Sequence, residues 1–337
     1  AAGRPRDAAG RRALARRAGM RNPERRVVVM LPRDLPIAQV LPFARRAEEL
    51  GFDELWVVED LGFRGGIAQA GAILAATNRI TVGVGIVPAA ARLAAFAAME
   101  FATLGQLFPG RVIAGIGHGM AGWIRSLDAW PASPLTLLSE TTTAVRTILR
   151  GLPVPQGGRY VSVKDVEFTE LPEVVPPVVL GVRGPKSIAL AGQISDGVLL
   201  AEPAPASYIR AAIEQAAPSG PFEVITYDVA VVSDDVAAAR ALARPGLAWI
   251  GEPDWAPHLV GEPFAEELAA FRATCSSPDA FGATMPDAWV DALALAGTAE
   301  TVREGLAARH DAGATCVVLA PLGADRLAAL EQLARVL

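Results

Sequence analysis

Residues 177–200 read PVVLGVRGPKSIALAGQISDGVLL. An apolar, β-branched run, Pro177 to Val182, stops at Arg183-Gly184. Pro185 then opens a segment with helical spacing, and a second apolar run follows from Asp196 to Leu200. Strand, helix and strand in so short a stretch predict two parallel strands joined by a crossover helix.

The same alternation runs outward in both directions. Toward the N-terminus, strand-like runs lie at Val27–Leu31, Glu54–Val58, Arg79–Val87 and Arg111–Ile116, with helical spacing at Ile37–Leu50, Ala68–Ala76, Ala90–Leu107 and Pro134–Leu149. Toward the C-terminus, helical spacing at Ala204–Ala217 leads to a strand at Glu223–Val232 and an Ala-rich helix from Asp234. A helix at Thr298–Ala312, with Thr298 as N-cap, a strand at Ala314–Ala320 and a helix at Asp325–Leu337 complete the chain. Eight strands, each followed by helical sequence, predict an α/β protein built as a (β/α)8 TIM barrel. A doubly wound sheet is the rival and rarely needs so many strands. Two stretches break the rhythm and read as insertions, 117–175 after strand 4 and 246–289 before strand 8. Trp249, Trp255, Phe264, Phe271, Phe281 and Trp289 argue for order in the second. It reads either as a helical excursion over the barrel mouth or as a structural cap or oligomer contact.

The chain has 337 residues, 52% of them hydrophobic and 20% charged, enough for a large core. Mean hydropathy is +0.32, yet no apolar run approaches the roughly 18 residues of a membrane span. A net charge of −5 argues against nucleic acid as a main partner. Cys275 and Cys316 are too few for a disulfide framework, so a reducing, cytoplasmic setting is expected and both thiols read as packing residues. The three histidines, His118, His258 and His310, show no metal-ligand spacing. Residues 1–19 carry six Arg and one Asp and no apolar signal core. They read as a flexible Arg-rich extension, with Met20 an alternative start and residues 20–337 a single barrel.

In such barrels the chemistry sits where strands end. The strand 5 exit carries the clearest signal. Gly184 permits close backbone approach, Pro185 suits the first helical position, and Arg183 and Lys186 add positive charge at a helix N-terminus, a combination that favours phosphate. An ordinary βα turn is the plainer reading. His118 sits between Gly117 and Gly119 just past strand 4, which suggests exposure toward a pocket. Glu59 and Asp60 end strand 2, either as a functional pair or as caps of the following loop. Glu202 ends strand 6. Trp123, Trp130, Trp249 and Trp255 read either as the lining of an apolar substrate pocket or as packing of the insertions.

Several segments then resemble the luciferase-like monooxygenase superfamily: EELGFDELWVVED (48–60), NRITVGVGIVP (78–88), FATLGQLFPGRVIAGIGHG (101–119), AWPASPLTLL (129–138), VVLGVRGPKSIALAGQISDGVLL (178–200) and GTAETVREGLAARHDAGATCVVLAP (297–321). The branch they are most similar to is that of F420-dependent methylenetetrahydromethanopterin reductases. The resemblance implies a barrel that binds coenzyme F420, or alternatively FMN, at the strand C-termini. It implies a strand 3 bulge at Gly85-Ile86-Val87, often with a non-prolyl cis peptide, behind the cofactor ring. It also implies cofactor contact by Gly117, His118 and Gly119 and phosphate contact by Arg183, Gly184, Pro185 and Lys186; Val182 and Glu202, at the ends of strands 5 and 6, are cofactor-binding candidates by position. Relatives are commonly homodimers. Two positions depart from the family. Many relatives carry Asp-His after strand 2, where this chain has Glu59-Asp60-Leu61, and some F420 enzymes carry an acid where Met120 stands. Glu59, Asp60 and His118 are therefore catalytic candidates by position. The expected reaction is hydride transfer between F420 and an activated C=C or C=N of a small molecule. An FMNH2/O2 monooxygenase and a non-catalytic ligand-binding barrel are the alternatives.

Overall fold

Every predicted strand is buried on both faces, the mark of a parallel sheet wrapped by helices. In the computed structural model, which describes residues 25–164 and 166–337, the strands are β1 (Arg26–Met30), β2 (Glu54–Val57), β3 (Thr81–Pro88), β4 (Val112–Gly117), β5 (Val178–Gly181), β6 (Gly197–Leu200), β7 (Glu223–Val232), β8 (Leu295–Gly297) and β9 (Cys316–Pro321). Pairing is parallel throughout. β6 pairs with β7, β7 with β9 and β9 with β1, so eight strands close a ring and the doubly wound alternative falls away. The N-terminal extension expected at residues 1–19, and Met20, lie outside the described residues.

The short β8 is an addition that the sequence reading did not contain. It pairs only with the upper end of the long β7, Ala230–Val232 against Leu295–Gly297. Successive residues of a strand alternate between two cores, as the pleat requires. Val28, Trp56, Ile113, Val179, Leu199, Ile225 and Val318 fill the barrel. Their neighbours Val29, Leu55, Ala114, Val178, Val198 and Leu319 pack outward against the helices.

Those helices are α1 (Ile37–Leu50), α2 (Gly66–Ala76), α3 (Ala94–Leu107), α4 (Ala121–Ser126), α5 (Pro134–Leu149), α6 (Pro185–Ile194), α7 (Ala206–Ala216), α8 (Val236–Ala243), then α9 (Ala265–Thr274), α10 (Pro278–Thr284), α11 (Asp287–Leu293), α12 (Ala299–Asp311) and α13 (Arg326–Leu333). α3 begins later than expected, because residues 89–93 form a turn after Pro88. Thr298 caps α12 through its hydroxyl and Asp325 caps α13 through its carboxylate. Helices α9 to α11, with two 3₁₀ turns before them, make up the second insertion. They enclose a separate apolar core of Leu247, Leu268, Phe281, Trp289 and Leu293 against Val229 and Val231 of β7. The insertion therefore stands on the upper half of β7, beside the barrel mouth. Among the described residues, no helix is long and apolar enough to cross a membrane.

Candidate active site

The β3–β4 register shifts between Val84 and Val87, and the Gly85–Ile86 peptide is cis. The bulge brings Ile86 against the barrel interior, while Val87 is buried in the outer core. Glycines on the neighbouring strands make room. A Cβ at Gly115 would stand 3.2 Å from Ile86 Cγ2, one at Gly117 3.0 Å from Ile86 Cγ1, and one at Gly181 would collide with Ile86. Ile86 thus forms an apolar floor at the C-terminal end of β3, β4 and β5.

Tyr227 supports that floor from below. Its hydroxyl donates to the Gly85 carbonyl at 3.3 Å, and its ring meets Trp56 edge-on at 6.1 Å. Burial, followed by the nearby Glu202 and Asp60 charges, pushes its phenol well above the ordinary tyrosine value, so it remains a neutral donor. Sequence reading missed Tyr227. The available signal was the polar triplet Thr226-Tyr227-Asp228 in the middle of an otherwise apolar strand.

The exits of β4 and β5 meet through one contact. His118 Nε2 lies 3.0 Å from the Ser187 hydroxyl, in the first turn of α6. Burial holds His118 below the ordinary histidine value, so the neutral ring makes this bond at neutral pH. Gly119 next to it adopts φ +71° against Pro88, a conformation that favours glycine. Gly184 is the N-cap of α6 and Pro185 its first residue, so the first turn presents N–H groups with no intrahelical partner. A side chain at Gly184 would meet nothing within 4 Å. The turn is open to an incoming group.

Two cations flank it. Lys186 is exposed. Arg183 is half-buried, forms no ion pair among the described residues, and lays its guanidinium over the Trp255 ring at 4.2 Å. Burial lowers its pKa from the ordinary arginine value. Val182 beside it is buried in the outer core. Trp255 comes from the second insertion and stacks on Trp249 at 5.9 Å. Trp130 instead lies under the Arg125 guanidinium. The insertion also reaches the β6 exit. His258 Nδ1 is 2.8 Å from the Pro203 carbonyl, and its ring stacks on Tyr208 at 4.7 Å.

The rim carboxylates differ in what they hold. Glu59 Oε2 accepts the Gly66 N–H at 2.8 Å, and Glu59 pairs with Arg92 at 2.9 Å, so it fastens α2 and the turn after β3. Asp60 pairs with Arg33 at 2.7 Å. Glu202, at the C-terminal end of β6, has no cation within ion-pair distance among the described residues. Burial raises its pKa; a hydrogen bond from its own backbone N–H and then the Arg183 charge oppose that shift, and the Asp60 and Asp228 charges add to it. Met120, where some relatives carry an acid, is exposed. An apolar floor, an open helix N-terminus flanked by two cations and a half-buried acid therefore share one mouth.

The family model for luciferase-like monooxygenases matches residues 13–316. The chain belongs to that family. This luciferase-like protein is 26% identical over 317 residues to 5,10-methylenetetrahydromethanopterin reductase of Methanolobus tindarius, an alignment that covers 90% of the chain and 96% of the relative. It is 34% identical over 173 residues to F420-dependent glucose-6-phosphate dehydrogenase of Microbacterium testaceum, covering 48% of the chain and 52% of that enzyme. Its fold matches the coenzyme F420-dependent tetrahydromethanopterin reductase of Methanopyrus kandleri with a TM-score of 0.78 at 23% identity, over 92% and 97% of the two chains.

Proposed function

We propose that this protein is an F420-dependent oxidoreductase acting on an activated C=C or C=N of a small organic substrate. The observation that carries the reading is its near full-length similarity to methylenetetrahydromethanopterin reductase. The residues at the mouth fit such a cofactor. Ile86 offers a flat apolar surface for a ring. The α6 N-terminus, with Gly184, Arg183 and Lys186, offers N–H groups and positive charge for a phosphate. When bound, F420 gives or takes a hydride at C5 of its deazaflavin.

The chain's own residues supply orientation and a dry environment. Arg183 holds the phosphate, and Trp255 holds Arg183. His118, through Ser187, keeps the α6 turn in register with the β4 exit. Gly117 and Gly119 let backbone approach the ligand closely. Tyr227 keeps the Ile86 floor in place. Asp60, fixed by Arg33, stands at the β2 exit, and Glu59 fastens the rim.

The test is a side-by-side fluorescence titration with F420 and FMN, followed by reoxidation of reduced F420 with a panel of enones and imines. Saturable F420 binding with turnover of a panel member is expected. FMN binding alone would turn the reading to an FMNH2/O2 monooxygenase. Binding of neither by a folded chain would favour a non-catalytic barrel.

A further inference from the structure

Two carboxylates at the mouth are engaged by arginines, Glu59 by Arg92 and Asp60 by Arg33, and Asp228, buried in β7, is engaged by Arg309 at 2.7 Å. Glu202 has no such partner among the described residues. Arg183, the cation nearest to it on the β5 exit, is drawn instead onto the face of Trp255. The segment that carries Glu202 is held on both sides. The fully buried Asp228 carboxylate accepts the Ala204 N–H, and His258 bonds to the Pro203 carbonyl. Glu202 is thus a half-buried acid without a counter-ion, on a clamped loop, beside the apolar floor.

We propose that Glu202 is the proton donor and acceptor of this site, a role that rests on the F420 reading above. In the reducing direction the electrophilic carbon gains a hydride from the reduced cofactor, which is the group oxidised. The C=C or C=N π bond breaks toward its far atom. That atom forms its new bond to hydrogen as the Glu202 O–H bond breaks, and the carboxylate regains a proton from solvent. The reverse direction returns a proton to the carboxylate.

The groups around Glu202 suit the role. Burial disfavours its charged form, and Asp60 from the β2 exit and Asp228 from β7 add like charge. Tyr227 on β7 is a neutral phenol, and the hydrogen bond from Glu202's own N–H and the Arg183 charge on the β5 exit oppose the shift only in part. A carboxyl whose pKa is raised by its surroundings keeps its proton more readily and is the better donor. Glu59 and Asp60, engaged by Arg92 and Arg33, and His118, kept neutral by burial, are poorer donors. This changes the role of Glu202 from the cofactor contact expected from its place at a strand end to a proton-transfer group.

The experiment is ¹³C NMR of the full chain labelled at glutamate Cδ, comparing wild type with Glu202→Gln and Asp60→Asn. The resonance missing from Glu202→Gln should titrate above the ordinary glutamate value of about 4.3. In Asp60→Asn its midpoint should fall. A midpoint at or below the ordinary value overturns the proposal. On an acceptor from the panel, Glu202→Gln should slow turnover by about 100-fold and flatten the pH profile, with Glu202→Asp recovering part of the rate. Unchanged turnover in Glu202→Gln also overturns it. Failure of wild type to bind F420 would sink the cofactor reading and this role together. A normally titrating Glu202 in a chain that binds F420 would sink this role alone.

Discussion

The two ends of the barrel treat charge in opposite ways. At the N-terminal end, Arg26 bridges Glu54 at 3.1 Å and Glu223 at 2.7 Å inside the ring of strands. The Trp56 indole donates to Glu54 at 3.2 Å, and the Thr315 hydroxyl donates to Glu223 at 2.6 Å. Cys316 closes the layer, its thiol pushed well up by burial and then by the Glu54 charge, so it stays protonated and inert. At the C-terminal end Glu59 and Asp60 pair with arginines on the rim, but Arg183, Lys186 and Glu202 form no ion pairs among the described residues, and the α6 turn is open. Charges neutralised by one another hold a structure closed. Charges left without partners are available to a ligand. In (β/α)8 barrels the chemistry sits at this second end.

Breaking the closed end should have the largest effect. Glu54→Ala leaves Arg26 with Glu223 as its one carboxylate partner in the layer and removes the acceptor of Trp56, and loss of about 3 kcal/mol is expected in urea denaturation. A loss under about 1 kcal/mol would mean that the ionic layer is dispensable.

The open end should instead respond to pH through the insertion. His258 is fully buried, and burial pushes its pKa down to about 4, below the unfolded value of 6.5. The unfolded chain then binds the proton first, so this contribution is intact above pH 6.5 and fades as pH falls toward 4. It amounts to about 3 kcal/mol at most. Denaturation midpoints of wild type and His258→Gln should differ most above pH 6.5 and converge in acid. A constant difference across that range would show that His258 acts by packing alone.

A smaller effect sharpens the same contrast. Trp255→Ala frees Arg183 from its stacking partner at a cost of about 0.5–2 kcal/mol. F420 affinity should drop a few-fold to roughly 30-fold, while the urea midpoint moves less than in Glu54→Ala. Equal loss of affinity and stability would instead make Trp255 part of the insertion's packing.

Legibility in the sequence followed the range of the interactions. All eight ring strands, and the exact spans of α1 and α5, were readable because their signals are local: apolar runs, helical spacing, Pro at a helix start, Thr at a cap. β8 was not readable, because three residues carry no periodicity. Helices α9 to α11 were missed as elements since each is ten residues or shorter and packs as part of one small core. The bulge at Ile86 and the helix start at Pro185 came from resemblance and from turn chemistry respectively. The supports of the mouth stayed hidden because their partners are remote in sequence. Tyr227 reaches Gly85 across 142 positions and Arg309 reaches Asp228 across 81. The sequence marks such residues as polar in an apolar strand, and only the closed ring shows what they touch.

The central claim is that the open charges at the C-terminal mouth exist to hold an anionic cofactor. Fluorescence titration of F420 against wild type and Arg183→Ala tests it most directly. The account predicts saturable binding by wild type, an affinity about tenfold to a hundredfold lower in the variant, and an unchanged urea midpoint. Equal affinities in the two proteins would contradict it.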